Sequence, residues 1–198
     1  MIDIDLYLAS ASPRRKELLT QVGVIFERIA APVDETPLPG ENPRDYVLRL
    51  AHDKAESGWA AMVKQGLPVR PVLAADTTVV LGEYILGKPE NATDATRMLR
   101  DLSGSSHEVL TSLGLRHAGG VEVALSVSVV HFAKLTEAQI AAYVASGEPM
   151  DKAGAYGIQG GGGLFVSRLE GSFTGVMGLP LHETAVLLGK YGMGLLAL

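Results

Sequence analysis

One stretch constrains the fold more than any other. From Val72 to Leu86 an apolar run drops onto a single carboxylate, Asp76, and then resumes. Val72-Leu73-Ala74-Ala75 lead into it, Thr77-Thr78-Val79-Val80-Leu81 follow, and Gly82-Glu83 turns the chain back. Apolar and β-branched residues on both sides mark a buried strand. A carboxylate is costly to bury without a partner. Asp76 is therefore expected to meet a cation, a metal or a substrate; the alternative is a structural Asp capping a turn. Ser12-Pro13-Arg14-Arg15, Lys54, Gly87-Lys88-Pro89 and Asp151-Lys152-Ala153-Gly154 are the clusters that could converge on it.

The two basic residues nearest the N-terminus sit where an anion would be welcome. Ile4 to Ala9 reads as a strand, and Ser12 as the N-cap of a helix with Pro13 in its first position. A strand that runs into a capped helix presents free N–H groups and the positive end of the helix dipole, which suits an anion. Arg14 and Arg15 in that first turn oppose the dipole unless an anion compensates, which favours a phosphate ligand over a solvated basic face. Gly23 closes the helix and Val24 to Ile29 reads as a second strand.

Asp34-Glu35 lies in a Pro-rich loop, residues 32 to 43, where two adjacent acids are ordinarily solvated. Asn42 caps a long helix from Pro43 whose apolar stripe is Tyr46, Val47, Leu50, Ala51 and Ala55, with Lys54 at the rim as a snorkelling lysine. Lys88 is held between Gly87 and Pro89, which suits a positioned phosphate contact. A helix over Thr93 to Leu102 is capped by Asn91 or Thr93. His107 to Leu115 and Val121 to Phe132 read as antiparallel strands, with His107 structural. Thr136 begins another helix. Residues 151 to 163 form a glycine-rich loop in which Tyr156, Ile158 and Gln159 argue for close approach to a ligand rather than a linker. Gln159 offers the donor and acceptor that a nucleobase edge needs. Leu164 to Arg168 reads as a strand, then a glycine-rich turn and a final helix from Pro180 to Leu188, with no disordered tail.

The 198 residues suit one large domain or two small lobes, and the net charge of −5 gives no support for duplex DNA or an anionic membrane as partner. The absence of cysteine excludes disulfides, zinc-thiolate sites and thiol nucleophiles. The first residues lack the basic and apolar segments of a signal peptide, so a soluble cytoplasmic protein is expected.

In chain order, LASASPRRKELL (8–19), Asp34-Glu35, Lys54 within AHDKA, AADTTV (74–79), GKP (87–89), GSSHEVLT (104–111), GEPMDKAGAYGIQG (147–160) and GVMGLPL (175–181) resemble the Maf family of nucleoside triphosphate pyrophosphatases. The resemblance implies one Maf-like domain over 1–198, inosine triphosphatase-like, with a twisted mixed central sheet, flanking helices and two lobes around a cleft. It also implies hydrolysis of dTTP and UTP to the monophosphate and pyrophosphate, with no nucleic acid or membrane partner. The alternatives are modified nucleotides such as 7-methyl-GTP, or a septum-inhibiting regulator. By resemblance Asp76 is the catalytic acid-base residue, and Arg14, Thr77 and Gln159 set substrate choice. Ser12, Arg14, Arg15, Lys54 and Lys88 would bind the triphosphate, with Lys152 a further candidate. Glu35 and Asp76 would hold a divalent cation, Mg²⁺ before Mn²⁺, given oxygen-only ligands. A homodimer is compatible with the family. The departures are minor: Ala11 where the family also uses glycine, and Ala133 where an arginine is frequent.

Overall fold

The computed structural model describes residues 4–193 and builds its sheet around the strand that carries Asp76. The strands are β1 (Leu6–Leu8), β2 (Phe26–Arg28), β3 (Val72–Leu81), β4 (Tyr84–Leu86), β5 (Ser106–His117), β6 (Gly120–Phe132) and β7 (Val166–Glu170). The helices are α1 (Pro13–Gln21), α2 (Pro43–Lys64), α3 (Ala92–Leu102), α4 (Glu137–Ala145), α5 (Phe173–Met177) and α6 (Leu181–Gly189). The sheet runs β2-β1-β3-β5-β6-β7, with β4 folded back on β3. β1, β2 and β3 are mutually parallel, and every other pairing is antiparallel. This is the twisted mixed α/β sheet with flanking helices that the resemblance implies.

Local chemistry sets most helix ends. Ser12, Asn42 and Asn91 each accept a backbone N–H from the first turn they precede. Thr136 and Gln139 form a reciprocal capping box at α4. Of the two residues that could cap α3, Asn91 does so.

Neighbouring β3 side chains point to opposite faces. Val72 and Ala74 pack with Ala55 and Met62 of α2, whereas Leu73 and Ala75 pack with Leu18 and Leu19 of α1 and Leu187 and Leu188 of α6. A third core gathers the far end of β3 with α3, α4, Tyr156 and Phe165. Two glycines let α2 lie close on the sheet. A Cβ at Gly114 of β5 would fall 2.4 Å from the Ala51 carbonyl oxygen, and one at Gly58 would fall 2.8 Å from Val72.

One edge of β3 is left open midway. β1 pairs with it as far as Leu8↔Leu73, and β4 pairs only from Val79↔Leu86 onward. Between those points β3 has no strand neighbour on that side among the described residues, and this gap carries Asp76, Thr77 and Thr78.

Several expectations need correction. Leu164 and Phe165 belong to a 3₁₀ turn over Gly161–Phe165, and the last strand begins at Val166. The amides of Gly161 and Gly162 are taken by Glu148, so the chain is still turning there. The glycine-rich turn before the final helix holds a helix of its own, α5, capped by Ser172. The final helix starts at Leu181 and ends at Gly189. The flanking strands are shorter at β1 and β2, and longer at β5 and β6, than expected. The readings of the first three residues, and of a tail free of disorder, fall outside the described residues.

Candidate active-site cleft

The gap in the β3 edge opens into a cleft of about 1040 Å³. Every residue singled out as a site candidate in the sequence lines it. They arrive from separate elements: the N-cap and first turn of α1 bring Ser12, Arg14 and Arg15, α2 brings Lys54, and β3 brings Asp76 and Thr77. The loop before α2 brings Glu35, the turn after β4 brings Lys88, and the glycine-rich loop brings Lys152 and Gln159. Six cations (Arg14, Arg15, Arg28, Lys54, Lys88, Lys152) face three acids (Glu35, Asp76, Asp151), so the cleft is cationic within an acidic chain.

At its centre Lys54 Nζ lies 2.7 Å from Asp76 Oδ1 and 2.6 Å from Glu35 Oε1. Asp76 is 8% exposed, and Thr78 Oγ1 donates to its second oxygen at 3.4 Å. The buried carboxylate thus has the cation that the cost of burial demands. Lys54 does not snorkel outward; its side chain is 14% exposed and points into the cleft. Burial raises the Glu35 carboxyl, but the Lys54 hydrogen bond and charge, with Lys88 and Arg15, outweigh it and hold the group below its usual range. Asp34, beside it, is turned to the backbone of Thr36.

Arg15 is tied on three sides. Its Nε donates to the Gly178 carbonyl at 2.8 Å, Nη1 to Ser10 at 3.2 Å and Nη2 to Thr77 at 3.1 Å. Burial lowers its pKa, opposed by the charge of Asp76. Arg14 lies 3.6 Å from Asp151 across the cleft. The two arginines that oppose the dipole of α1 therefore have intramolecular compensation, so their position alone does not require a bound phosphate. Lys88 makes no hydrogen bond or ion pair among the described residues. Lys152 Nζ donates to Asp151 and to the Glu148 carbonyl, each at 2.6 Å. Gln159 is exposed and its amide has no protein partner among the described residues.

Sequence reasoning passed over three residues of this neighbourhood. Arg28 lines the cleft and donates to the Ser10 carbonyl. Its signal was a charge at the C-terminal end of a parallel strand, where such sheets collect ligands. Tyr46, read as part of an apolar stripe, donates its hydroxyl to the Glu35 carbonyl at 2.9 Å and so places that acid. Thr111 of β5 lies 3.1 Å from Thr77 and donates to the Gly175 carbonyl at 2.7 Å. It braces the wall that Arg15 grips.

Among the described residues no three His, Cys, Asp or Glu side chains gather as a metal site, and no helix is long and apolar enough to cross a membrane. The fold and cleft define an α/β protein whose cationic pocket surrounds a buried carboxylate–lysine pair at a break in the central sheet. The chain belongs to the Maf family: the family model described as Maf-like protein matches residues 5–191. A Chromobacterium violaceum relative named dTTP/UTP pyrophosphatase is 55% identical, with 98% of each chain covered. Relatives of the same name from Dechloromonas aromatica (52% identical, 94% of this chain and 97% of that one) and Pasteurella multocida (49%, 98% and 100%) match similarly. The solved Staphylococcus aureus Ham1 protein overlays 65% of this chain and 71% of its own at 14% identity, with a TM-score of 0.45.

Proposed function

We propose that this chain, acting as one two-lobed domain in the cytoplasm, hydrolyses dTTP and UTP to the monophosphate and pyrophosphate. The observation that carries the reading is Asp76, buried on Lys54 in a cleft where cations outnumber acids. A triphosphate brings about four negative charges, so catalysis is chiefly charge neutralisation and placement of a water. Arg14 grips phosphate oxygens in its planar fork, while Lys88 and Lys152 act as point charges. Arg15 keeps the wall of Thr77 and Gly178 in register with the first turn of α1, and its remaining N–H groups face the phosphates. Ser12 adds the start of that helix. Asp76 orients the attacking water and takes its proton. Gln159, with its amide free, reads the pyrimidine edge.

The donor set fits a hard divalent ion. Glu35 and Asp76 converge on one point, where the Lys54 ammonium stands in for a cation. These two carboxylates would hold Mg²⁺, or Mn²⁺ in its place, with phosphate oxygens completing the shell. Such an ion, when bound, neutralises charge on the phosphates.

Pyrophosphate release from dTTP, UTP, CTP and 7-methyl-GTP, with Mg²⁺ and with a chelator, tests the reading. Metal-dependent release from dTTP and UTP is expected. Release from 7-methyl-GTP instead would keep the chemistry and discard the base assignment. No release from any nucleotide would favour a regulatory nucleotide-binding role.

A further inference from the structure

We infer that Tyr143 and Glu148 are specificity-determining positioning residues: they clamp the glycine segment around Gln159 and thereby fix how its amide meets the base. The inference rests on Gln159 being the base reader.

The segment from Gly157 to Gly163 carries five glycines, and a free chain of that composition would be flexible. Ordering it costs backbone entropy that some set of contacts must offset. Beyond the turn bonds from Gly160 N–H to the Gly157 carbonyl and from Gly163 N–H to the Gly160 carbonyl, and the burial of Ile158, the side-chain contacts come from one hydroxyl and one carboxylate. The amide of Gly157, before Gln159, donates to the Tyr143 hydroxyl at 3.1 Å. The amides of Gly161 and Gly162, after it, donate to Glu148 Oε2 at 3.0 Å and Oε1 at 3.5 Å. Tyr143 donates to Glu148 Oε1 at 2.9 Å, so both sides of the loop hang from a single linked pair. The Tyr143 ring is itself fixed edge-on against Phe165, with centroids 5.0 Å apart.

Three of the five glycines, Gly160, Gly161 and Gly162, lie directly against the clamp. A Cβ at Gly160 would lie 2.3 Å from Glu148 Oε1, and one at Gly162 would lie 2.8 Å from the Tyr143 hydroxyl. The close approach that these glycines signalled is therefore, in part, to a neighbouring carboxylate and phenol of the protein. Ile158 is buried and Gln159 is exposed to the cleft. With no side-chain hydrogen-bond partner among the described residues, Gln159 takes its position from the backbone. A shift of the order of 1 Å there is enough to spoil recognition. The same pair also meets the phosphate side of the cleft, because Lys152 donates to the Glu148 carbonyl.

The test compares Glu148→Gln, Tyr143→Phe and Gln159→Ala with the parent protein, measuring kcat and KM on dTTP, UTP and CTP together with melting temperature. In Glu148→Gln an amide NH₂ must face a backbone N–H. Both clamp variants are expected to raise KM for dTTP and UTP and to cut the preference over CTP by about tenfold, equivalent to about 1.4 kcal/mol. Their kcat should stay within a few-fold. A merely structural role would instead lower the melting temperature and depress turnover on all three nucleotides together. If Gln159→Ala loses discrimination while both clamp variants keep it, the inference is overturned and the base reader stands. If Gln159→Ala keeps discrimination, the base reader itself is wrong. Should Glu148→Gln fail to fold, Tyr143→Phe decides.

Discussion

Lys54 reaches Asp76 from the face of α2 that lies on the sheet, and its ammonium sits 2.7 Å from the carboxylate at the open edge of β3. The pair explains how a carboxylate can stand in the middle of an apolar strand, and it leaves Asp76 facing a cleft. Asp76→Asn is expected to lower kcat by about 10²–10⁴, the usual worth of a positioned base. Lys54 keeps Glu35 as a partner in that variant, so the folded structure should persist. Turnover and circular dichroism on the same sample check both halves, and near-normal turnover would remove the role given to Asp76.

The same lysine occupies the point where the two carboxylates converge, so a divalent ion held by Glu35 and Asp76, as proposed, would compete with Lys54 for one place in the nucleotide-free protein. Lys54→Met is expected to raise the affinity of the free protein for Mn²⁺ by at least about tenfold, since a unit charge at this range is worth several kcal/mol near a protein surface. The variant should lose turnover at the same time. Paramagnetic resonance of unbound Mn²⁺ measures the affinity without reference to activity. An unchanged affinity would exclude Glu35 and Asp76 as the ion's holders.

Gly114 decides where Lys54 can stand. Its missing side chain lets α2 settle on β5, with the Ala51 carbonyl where a Cβ would be. Gly114→Ala must push backbone rather than a flexible tip, and overpacking of that kind costs about 1–3 kcal/mol. The urea midpoint should fall accordingly. The displaced helix should also draw Lys54 away from Asp76 and lower turnover beyond what the lost stability accounts for. A variant destabilised but fully active under native conditions would mean that the pair tolerates movement of α2.

What could be read in the chain beforehand divides along the range of the forces involved. The caps at Ser12 and Asn42, and Asn91 as one of two candidates for α3, depend on residues within one turn, and they stood in the letters. Asp76 was legible because a buried carboxylate must be partnered somewhere. Lys54 was placed at the rim of a stripe, but its direction follows from how closely α2 docks, which Gly58 and Gly114 set from other parts of the fold. Tyr46 was hidden in an apolar pattern because a tyrosine satisfies that pattern with its ring and works with its hydroxyl. The 3₁₀ turn at Gly161–Phe165 was missed because Glu148, thirteen residues before Gly161, holds the amides that define it.

Arg15 illustrates why arginine and lysine differ at such a site. Its fork donates to Gly178, Ser10 and Thr77 at once, which joins α1, β3 and the turn after α5. Arg15→Lys retains the charge but has one short-range donor head for three divergent acceptors. Leaving two or more of them unmet should cost about 1–3 kcal/mol of stability. Turnover should fall as well, because Thr77 loses its brace. Thermal unfolding and kcat together test this, and a variant matching the parent in both would show that charge alone suffices.

His107 supplies a pH dependence that can be isolated. It is 3% exposed, its Nε2 lies 2.8 Å from the Tyr156 hydroxyl, and its Nδ1 has no partner among the described residues. Burial, with a smaller contribution from His131, pushes its pKa down from 6.5 to about 4. Between those values the unfolded chain binds the proton and the folded protein does not. Stability is therefore present above the unfolded value and is lost as pH falls toward the folded one. One such group should cost about 2 kcal/mol between pH 7.5 and pH 5. His107→Gln keeps an amide to meet Tyr156 and removes the titration, so its urea midpoint should fall less than the parent's across that window. Equal losses in the two proteins would place the acid sensitivity on other groups and leave His107 a neutral spacer among aromatic rings.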